Sequence, residues 1–261
     1  MNSIVKVNNL KKSFGTNQVL KGISLEVFQG EKLVVIGRSG CGKSVLLKHI
    51  VGLLNPDAGS VMVYGQEVST LEKAELYKLR LRFGYLFQGA ALFDSMSVGE
   101  NIALPLIEHF HFSKEEVKKK VSEKLEMVGL PGIEKLKPSE LSGGMKKRVG
   151  LARAIITEPE VILYDEPTTG LDPIMSDAID ELVNHLANKL TITTVVITHD
   201  MESVKKVADR VIMLHEGHVF FEGPPAGLFQ SENHVVKNFV TRQSLNDDEI
   251  AHEIEQLSRK K

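Results

Sequence analysis

The sequence predicts an α/β fold built around a parallel sheet, and three observations carry that expectation. An apolar run, KLVVI, ends in a glycine-rich string at residues 37–44, GRSGCGKS, and a helical stretch follows. A second apolar run, VILY, ends in two adjacent carboxylates, Asp165 and Glu166. Strand–helix alternation fills residues 1–87 and returns from 158, with a helical block between. Short continuous apolar runs bounded by turn signals fit strands buried on both faces, as in parallel sheets.

The chain opens on IVKVNNL and SLEVFQG, which read as strands. Val34 to Ile36 end a buried parallel strand, and a helix over roughly Lys43 to Leu54 comes after the glycine-rich string. SVMVYG is a further strand before a charged helical run. In the helical block, Ser113 and Glu116 have capping-box spacing, and the helix they open runs to Gly129, a natural stop. Ser142, Gly143 and Gly144 lead into another helical stretch, about Met145 to Ile156. Val161 to Tyr164 then form a strand, a helix lies near Ile174 to Leu190, and the strand TTVVIT ends at His199. RVIMLHEGHVFFEG reads as a hairpin turning at Glu216-Gly217. In the tail, about 226–261, Ile250, Ile254 and Leu257 recur at helical spacing and give one narrow apolar stripe.

Composition sets outer limits. A chain of 261 residues has room for one large or two small domains. Apolar content of 42% with 25% charge describes an ordinary soluble globular protein. A net charge of −2 argues against a nucleic-acid footprint, which is strongly basic. No run approaches the ~18 apolar residues that span a bilayer. The N-terminus, MNSIVKVNN, lacks the apolar core of a signal peptide. Cys41 is the only cysteine, so no internal disulfide is possible, consistent with the cytosol.

The glycine-rich string carries the clearest chemistry. Gly37, Gly40 and Gly42 permit a tight turn and close backbone approach to a polyphosphate. The following helix points its N-terminal amides at the anion. Lys43 would reach the β- and γ-phosphates and the Ser44 hydroxyl would ligate Mg²⁺. Ligands of open α/β sheets bind outside the carboxyl ends of the strands, so Asp165 and Glu166 should face this loop. Asp165 can hold Mg²⁺ through water while Glu166 orients or deprotonates the attacking water. Ser142, Gly143 and Gly144 form a second helix N-terminus suited to an anion. Cys41 fits either a small filler residue or a point of thiol sensitivity in the loop. Of the nine histidines only His199 has a motif around it, and the others read as surface residues.

From about residue 4 to about residue 230 the chain resembles the nucleotide-binding subunit of an ABC transporter. GRSGCGKS resembles the Walker A motif and VILYDE resembles Walker B. Gln88, in GYLFQGAALF, matches the glutamine of the Q-loop, and LSGGM matches the family signature. Gly170-Leu171-Asp172 matches the D-loop, and His199 matches the switch histidine. Phe14 stands where the family has an aromatic residue on adenine, although it also suits a core position in the first sheet. The resemblance implies ATP and Mg²⁺ as ligands. It makes Phe14, Gly37, Arg38, Ser39, Gly40, Cys41, Gly42, Lys43, Ser44, Ser142, Gly143, Gly144 and Asp172 the nucleotide-contacting positions. Ser44, Gln88 and Asp165 would serve the metal, and Glu166, His199 and Gln88 the hydrolysis.

The resemblance further implies a P-loop NTPase core with a flanking antiparallel β-subdomain and an inserted helical subdomain. Residues 1–88 and 158–230 would form the core, 89–157 the helical subdomain with the signature, and 231–261 a C-terminal helical extension. In the family two chains pair head to tail, each signature capping the γ-phosphate held by the other. The fifth signature position is Met145 where glutamine is usual, but the groups that touch phosphate are retained. LSGGM together with LFQGAALFDSMSVGENIALPL is similar to the ATPases of Mla- and MCE-type phospholipid transporters. That likeness implies a separate integral-membrane permease, an MCE-domain lipid-binding protein, and peripheral attachment to the cytoplasmic face of the inner membrane. It also makes the tail a docking element for the second copy or a small regulatory subunit, beside the plainer reading of a solvated helix. A transporter ATPase for another cargo such as amino acids would share every motif. ABC ATPases of DNA repair carry a very long coiled coil before the signature, and those of translation carry two cassettes. Here one cassette has about 100 residues between the two motifs.

Overall fold

The computed structural model describes residues 2–241. The first strands are β1 (Ser3–Phe14), β2 (Asn17–Phe28) and β3 (Lys32–Ile36), and helix α1 (Lys43–Ile50) follows. Next come β4 (Ala58–Val63), β5 (Gln66–Glu67), α2 (Lys73–Arg80) and β6 (Phe83–Leu86). Three helices succeed one another, α3 (Val98–His109), α4 (Lys114–Met127) and α5 (Gly143–Ile155). Alternation resumes with β7 (Val161–Asp165), α6 (Pro173–Leu190), β8 (Thr193–Thr198) and α7 (Met201–Val207). The hairpin β9 (Arg210–His215) and β10 (His218–Gly223) leads to α8 (Pro225–Phe229) and α9 (His234–Val240). The described residues form two compact units, one of residues 2–70 with 198–241 and the other Leu71–Ile197.

The first unit holds an antiparallel sheet in the order β2-β1-β4-β5. Alternate residues of its strands turn inward: Val5 pairs with Val27 and Val63, Val7 with Leu25 and Val61, and all are buried. That period of two is the expected signature of a sheet with one face on a core. A second group of strands runs β10-β9-β3, with β3 parallel to β9 and every residue from Leu33 to Ile36 fully buried. The β9–β10 turn falls at Glu216 and Gly217, both with left-handed backbone (φ 46° and 79°), the geometry that matches strand twist in a two-residue hairpin. Lys21 N–H donates to Gly217 O at 2.9 Å and joins this hairpin to β2. Arg210 binds Glu31 at 2.6 Å, the Glu26 carbonyl at 2.6 Å and the Glu222 carboxylate, which ties four segments of this unit together.

In the second unit β8, β7 and β6 lie side by side and parallel, and β7 is buried along its whole length. Helices α3, α4 and α5 pack on one another, and α5 also packs on β6. The ends of these helices are set by side chains. Ser113 and Glu116 make a reciprocal cap at α4, Ser97 and Glu100 make the same one at α3, and Gly129 (φ 70°) stops α4.

Several expectations are corrected. Helix α1 ends at Ile50 rather than Leu54, because Gly52 turns left-handed (φ 66°) and Gly52 and Leu53 N–H groups cap the carbonyls of His49 and Lys48. Helix α5 begins at Gly143, two residues before the expected start, since the Ser142 hydroxyl accepts from Met145 N–H at 3.3 Å. His49 and His215 are buried, not on the surface: His49 bonds the Val45 carbonyl at 2.7 Å and His215 meets Phe220 edge to face. Phe14 is 48% exposed, which removes its core reading. The stripe Ile250, Ile254, Leu257 lies outside the described residues. Among those residues no helix is long and apolar enough to cross a membrane.

Candidate nucleotide site

The glycine-rich loop links β3 to α1 within the first unit. Gly37 takes φ 153°, and a Cβ there would lie 2.2 Å from the Leu214 carbonyl oxygen and 2.6 Å from Cys41 Sγ. Only glycine lets the loop leave β3 this close to β9. Gly42 (φ 103°) is covered by Leu20 and Val19 of β2, so the β1–β2 hairpin that bears Phe14 adjoins the loop. Arg38, Ser39 and Gly40 are exposed, while Cys41, Gly42 and Lys43 are buried. The buried position of Cys41, beside Gly37, fits its filler reading.

Lys43 Nζ donates to the carbonyls of Gly37 at 2.8 Å and Arg38 at 3.0 Å. The loop thus holds its own ammonium inward, and a phosphate would compete for it with two carbonyls of moderate strength. Ser44 sits in the first turn of α1, where amide N–H groups have no intrahelical partner. His199 follows β8 and is exposed, next to Asp200, whose carboxylate caps α7 by accepting from Glu202 N–H at 2.9 Å.

The second unit presents its own cluster at the end of β7. Asp165 is 9% exposed and accepts a long bond from Tyr85 OH at 3.4 Å. Burial and the Asp165 charge both push the Tyr85 phenol upward, so it stays a donor. Glu166 has a left-handed backbone (φ 50°), its N–H donates to the Ile197 carbonyl at 3.0 Å, and its carboxylate accepts from Gln88 Nε2 at 3.1 Å and Thr169 Oγ1 at 2.8 Å. Gln88 and Glu166 are therefore brought together. Ser142 caps α5 and Asp172 caps α6 through Met175 N–H at 2.9 Å, so both residues shape helix N-termini.

Residues outside the motifs complete this cluster. Lys147, on α5, is 5% exposed and donates to the main-chain carbonyls of Gln88 and, at 3.2 Å, of Glu166. Arg153 donates to the Ala90 and Ala91 carbonyls at 2.6 and 2.8 Å. A signal for Lys147 existed. Gly144, Lys147, Leu151 and Ala154 share one helical face, so the lysine falls on an otherwise apolar stripe where it cannot be a solvated charge.

Comparison with known proteins follows the same lines. Residues 20–169 match the family model described as ABC transporter. The chain is 40% identical over 240 residues to the probable ribonucleotide transport ATP-binding protein mkl of Mycobacterium leprae, covering 92% of this chain and 69% of that protein. It is 40% identical over 242 residues to the intermembrane phospholipid transport system ATP-binding protein MlaF of Haemophilus influenzae, covering 93% of this chain and 92% of that one. The methionine import ATP-binding protein MetN of Clostridioides difficile is 39% identical over 93% of this chain and 75% of its own. Among solved structures, the dimeric post-hydrolysis state of the ATP-binding cassette MJ0796 bound to ADP and Pi aligns with TM-score 0.78 and 34% identity, over 85% of this chain and 98% of that one.

Proposed function

The chain belongs to the ABC transporter family as an ATPase, and from that premise we propose that it energises phospholipid transport through a separate integral-membrane permease. The observation that carries the cargo is the length of the match to MlaF, which spans 92% of that protein, whereas the mkl and MetN matches span 69% and 75% of theirs. The identity to MetN is nearly the same, so import of an amino acid is the second reading.

In the proposed cycle Lys43 leaves the Gly37 and Arg38 carbonyls for the phosphates, and Phe14, half exposed at the hairpin end, stacks on adenine. Ser44, Asp165 and Gln88 offer the hard oxygen donors that suit Mg²⁺, which when bound would neutralise charge on the β- and γ-phosphates. Glu166 accepts the proton of the water that attacks the γ-phosphorus as the bond to the bridging oxygen of ADP breaks. Gln88 and His199 respond to the γ-phosphate. Ser142, Gly143, Gly144 and Asp172 act on the nucleotide of a second copy. Residues 89–157 form the helical subdomain. The remaining partners are an MCE-domain lipid-binding protein and a small regulatory subunit, met at the cytoplasmic face of the inner membrane.

A mild-detergent pull-down of the tagged chain from its native membranes, with mass spectrometry of proteins and lipids, tests this. A multi-span permease with an MCE-domain protein and phospholipid is the expected result. A permease with a solute-binding protein of another kind would replace the cargo and keep the ATPase. Exclusively soluble partners would overturn the transport role of this chain.

A further inference from the structure

Lys147 has no part in the cycle above. Its ammonium is nearly sealed from water, and burying such a charge is costly unless partners replace the lost hydration. Burial lowers its pKa, against the opposing pull of the nearby Glu166 and Asp165 charges. The hydrogen-bond partners are main-chain atoms, the carbonyls of Gln88 and Glu166. Glu166 is left-handed at φ 50°, and such a backbone persists in a non-glycine residue only where its surroundings over-determine it. Its N–H is held by Ile197 and its carbonyl by Lys147 and the Thr169 N–H. The glutamine loop is strained in the same way at Ala90 and Ala91 (φ 60° and 48°), and there Arg153 of the same helix holds both carbonyls.

We propose that Lys147 is a positioning residue for ATP hydrolysis, tying the main chains of Gln88 and Glu166 to the helix capped by Ser142. The carboxylate that activates water, the glutamine that contacts it and the signature serine are then registered by one side chain. The inference rests on the reading of Glu166 as the hydrolytic carboxylate.

The test compares Lys147→Met, which keeps the stem and removes the donors, with Lys147→Gln, which restores an uncharged N–H donor. In the full chain, Lys147→Met is expected to lower kcat at least about tenfold and leave KM for ATP within about twofold, because the phosphate loop is untouched. Lys147→Gln should return kcat to within about threefold of the parent. An unchanged kcat in Lys147→Met, or an effect confined to KM, overturns the proposal. So does an equal loss in both variants accompanied by an equal fall in Tm, which is the mark of a packing role alone. Glu166→Gln separates the two readings: its full activity would remove the hydrolytic role itself, whereas an inert Glu166→Gln beside an active Lys147→Met removes only the role of Lys147. If Lys147→Met does not fold, amide exchange of the parent chain decides, since residues 88–91 and 166 must open together; independent opening overturns the proposal.

Discussion

Gly37 shows how tightly a single position can bind chemistry to fold. Its backbone sits where an added methyl carbon would stand 2.2 Å from the Leu214 carbonyl, an atom of strand β9 that cannot step aside without moving the sheet. Gly40, three residues on, also has positive φ (80°), but a Cβ there meets nothing within 4 Å. The two glycines therefore separate steric need from conformational strain. Gly37→Ala is expected to destabilise the chain by about 1–3 kcal/mol, the usual scale for forced overpacking, and to abolish ATP binding by displacing the loop. Gly40→Ala should cost about 1 kcal/mol, the scale of a strained left-handed residue, and retain measurable binding. Chemical denaturation together with titration of a fluorescent ATP analogue checks the pair. Equal losses in both variants would show that the contact with Leu214 does not matter.

At the scale of elements, Asn101 of α3 does for the loop before its helix what caps do for helix ends. Its side chain is fully buried; Oδ1 accepts from Phe93 N–H at 2.8 Å, and Nδ2 donates to the Phe93 and Ser97 carbonyls at 3.1 and 3.0 Å. Asn101→Ala would strand the Phe93 N–H, while the Phe93 and Ser97 carbonyls keep the N–H donors of Met96 and Asn101, with an expected loss of about 1–3 kcal/mol. Denaturant unfolding measures it, and faster proteolysis between 89 and 97 should accompany the loss. The elements themselves were largely legible: the cap at Ser113 and Glu116, the helix 173–190 and the hairpin at Glu216-Gly217 stand as their local chemistry dictates. What escaped was information held between elements. The end of α1 depended on a left-handed Gly52 inside an apolar run, and the burial of His49 on its sharing a face with Leu46 and Ile50. The partners of Lys147 were hidden for the same reason: they are carbonyls about 20 and 60 residues away in sequence, and a backbone atom leaves no trace in residue type.

For the whole molecule, the proposed cycle asks two helix N-termini of one chain, α1 at the phosphate loop and α5 at the signature, to meet anions, although one nucleotide needs only the first. Head-to-tail pairing of two copies, as proposed, would give the second a purpose, and the related cassette bound to ADP and Pi is itself dimeric. If ATP joins the copies and hydrolysis releases them, removing the hydrolytic group must lock the pair. Glu166→Gln leaves the phosphate loop intact and keeps an acceptor for the Thr169 hydroxyl, so it should bind Mg-ATP as the parent does. Its hydrolysis should fall by about 10²–10⁴-fold, the contribution of a positioned general base. Light scattering should then find a dimer in saturating ATP and a monomer in ADP. Full hydrolysis would remove Glu166 from its role. A monomer that binds ATP and does not turn it over would instead leave Glu166 in place and remove the second copy from the cycle of the isolated chain.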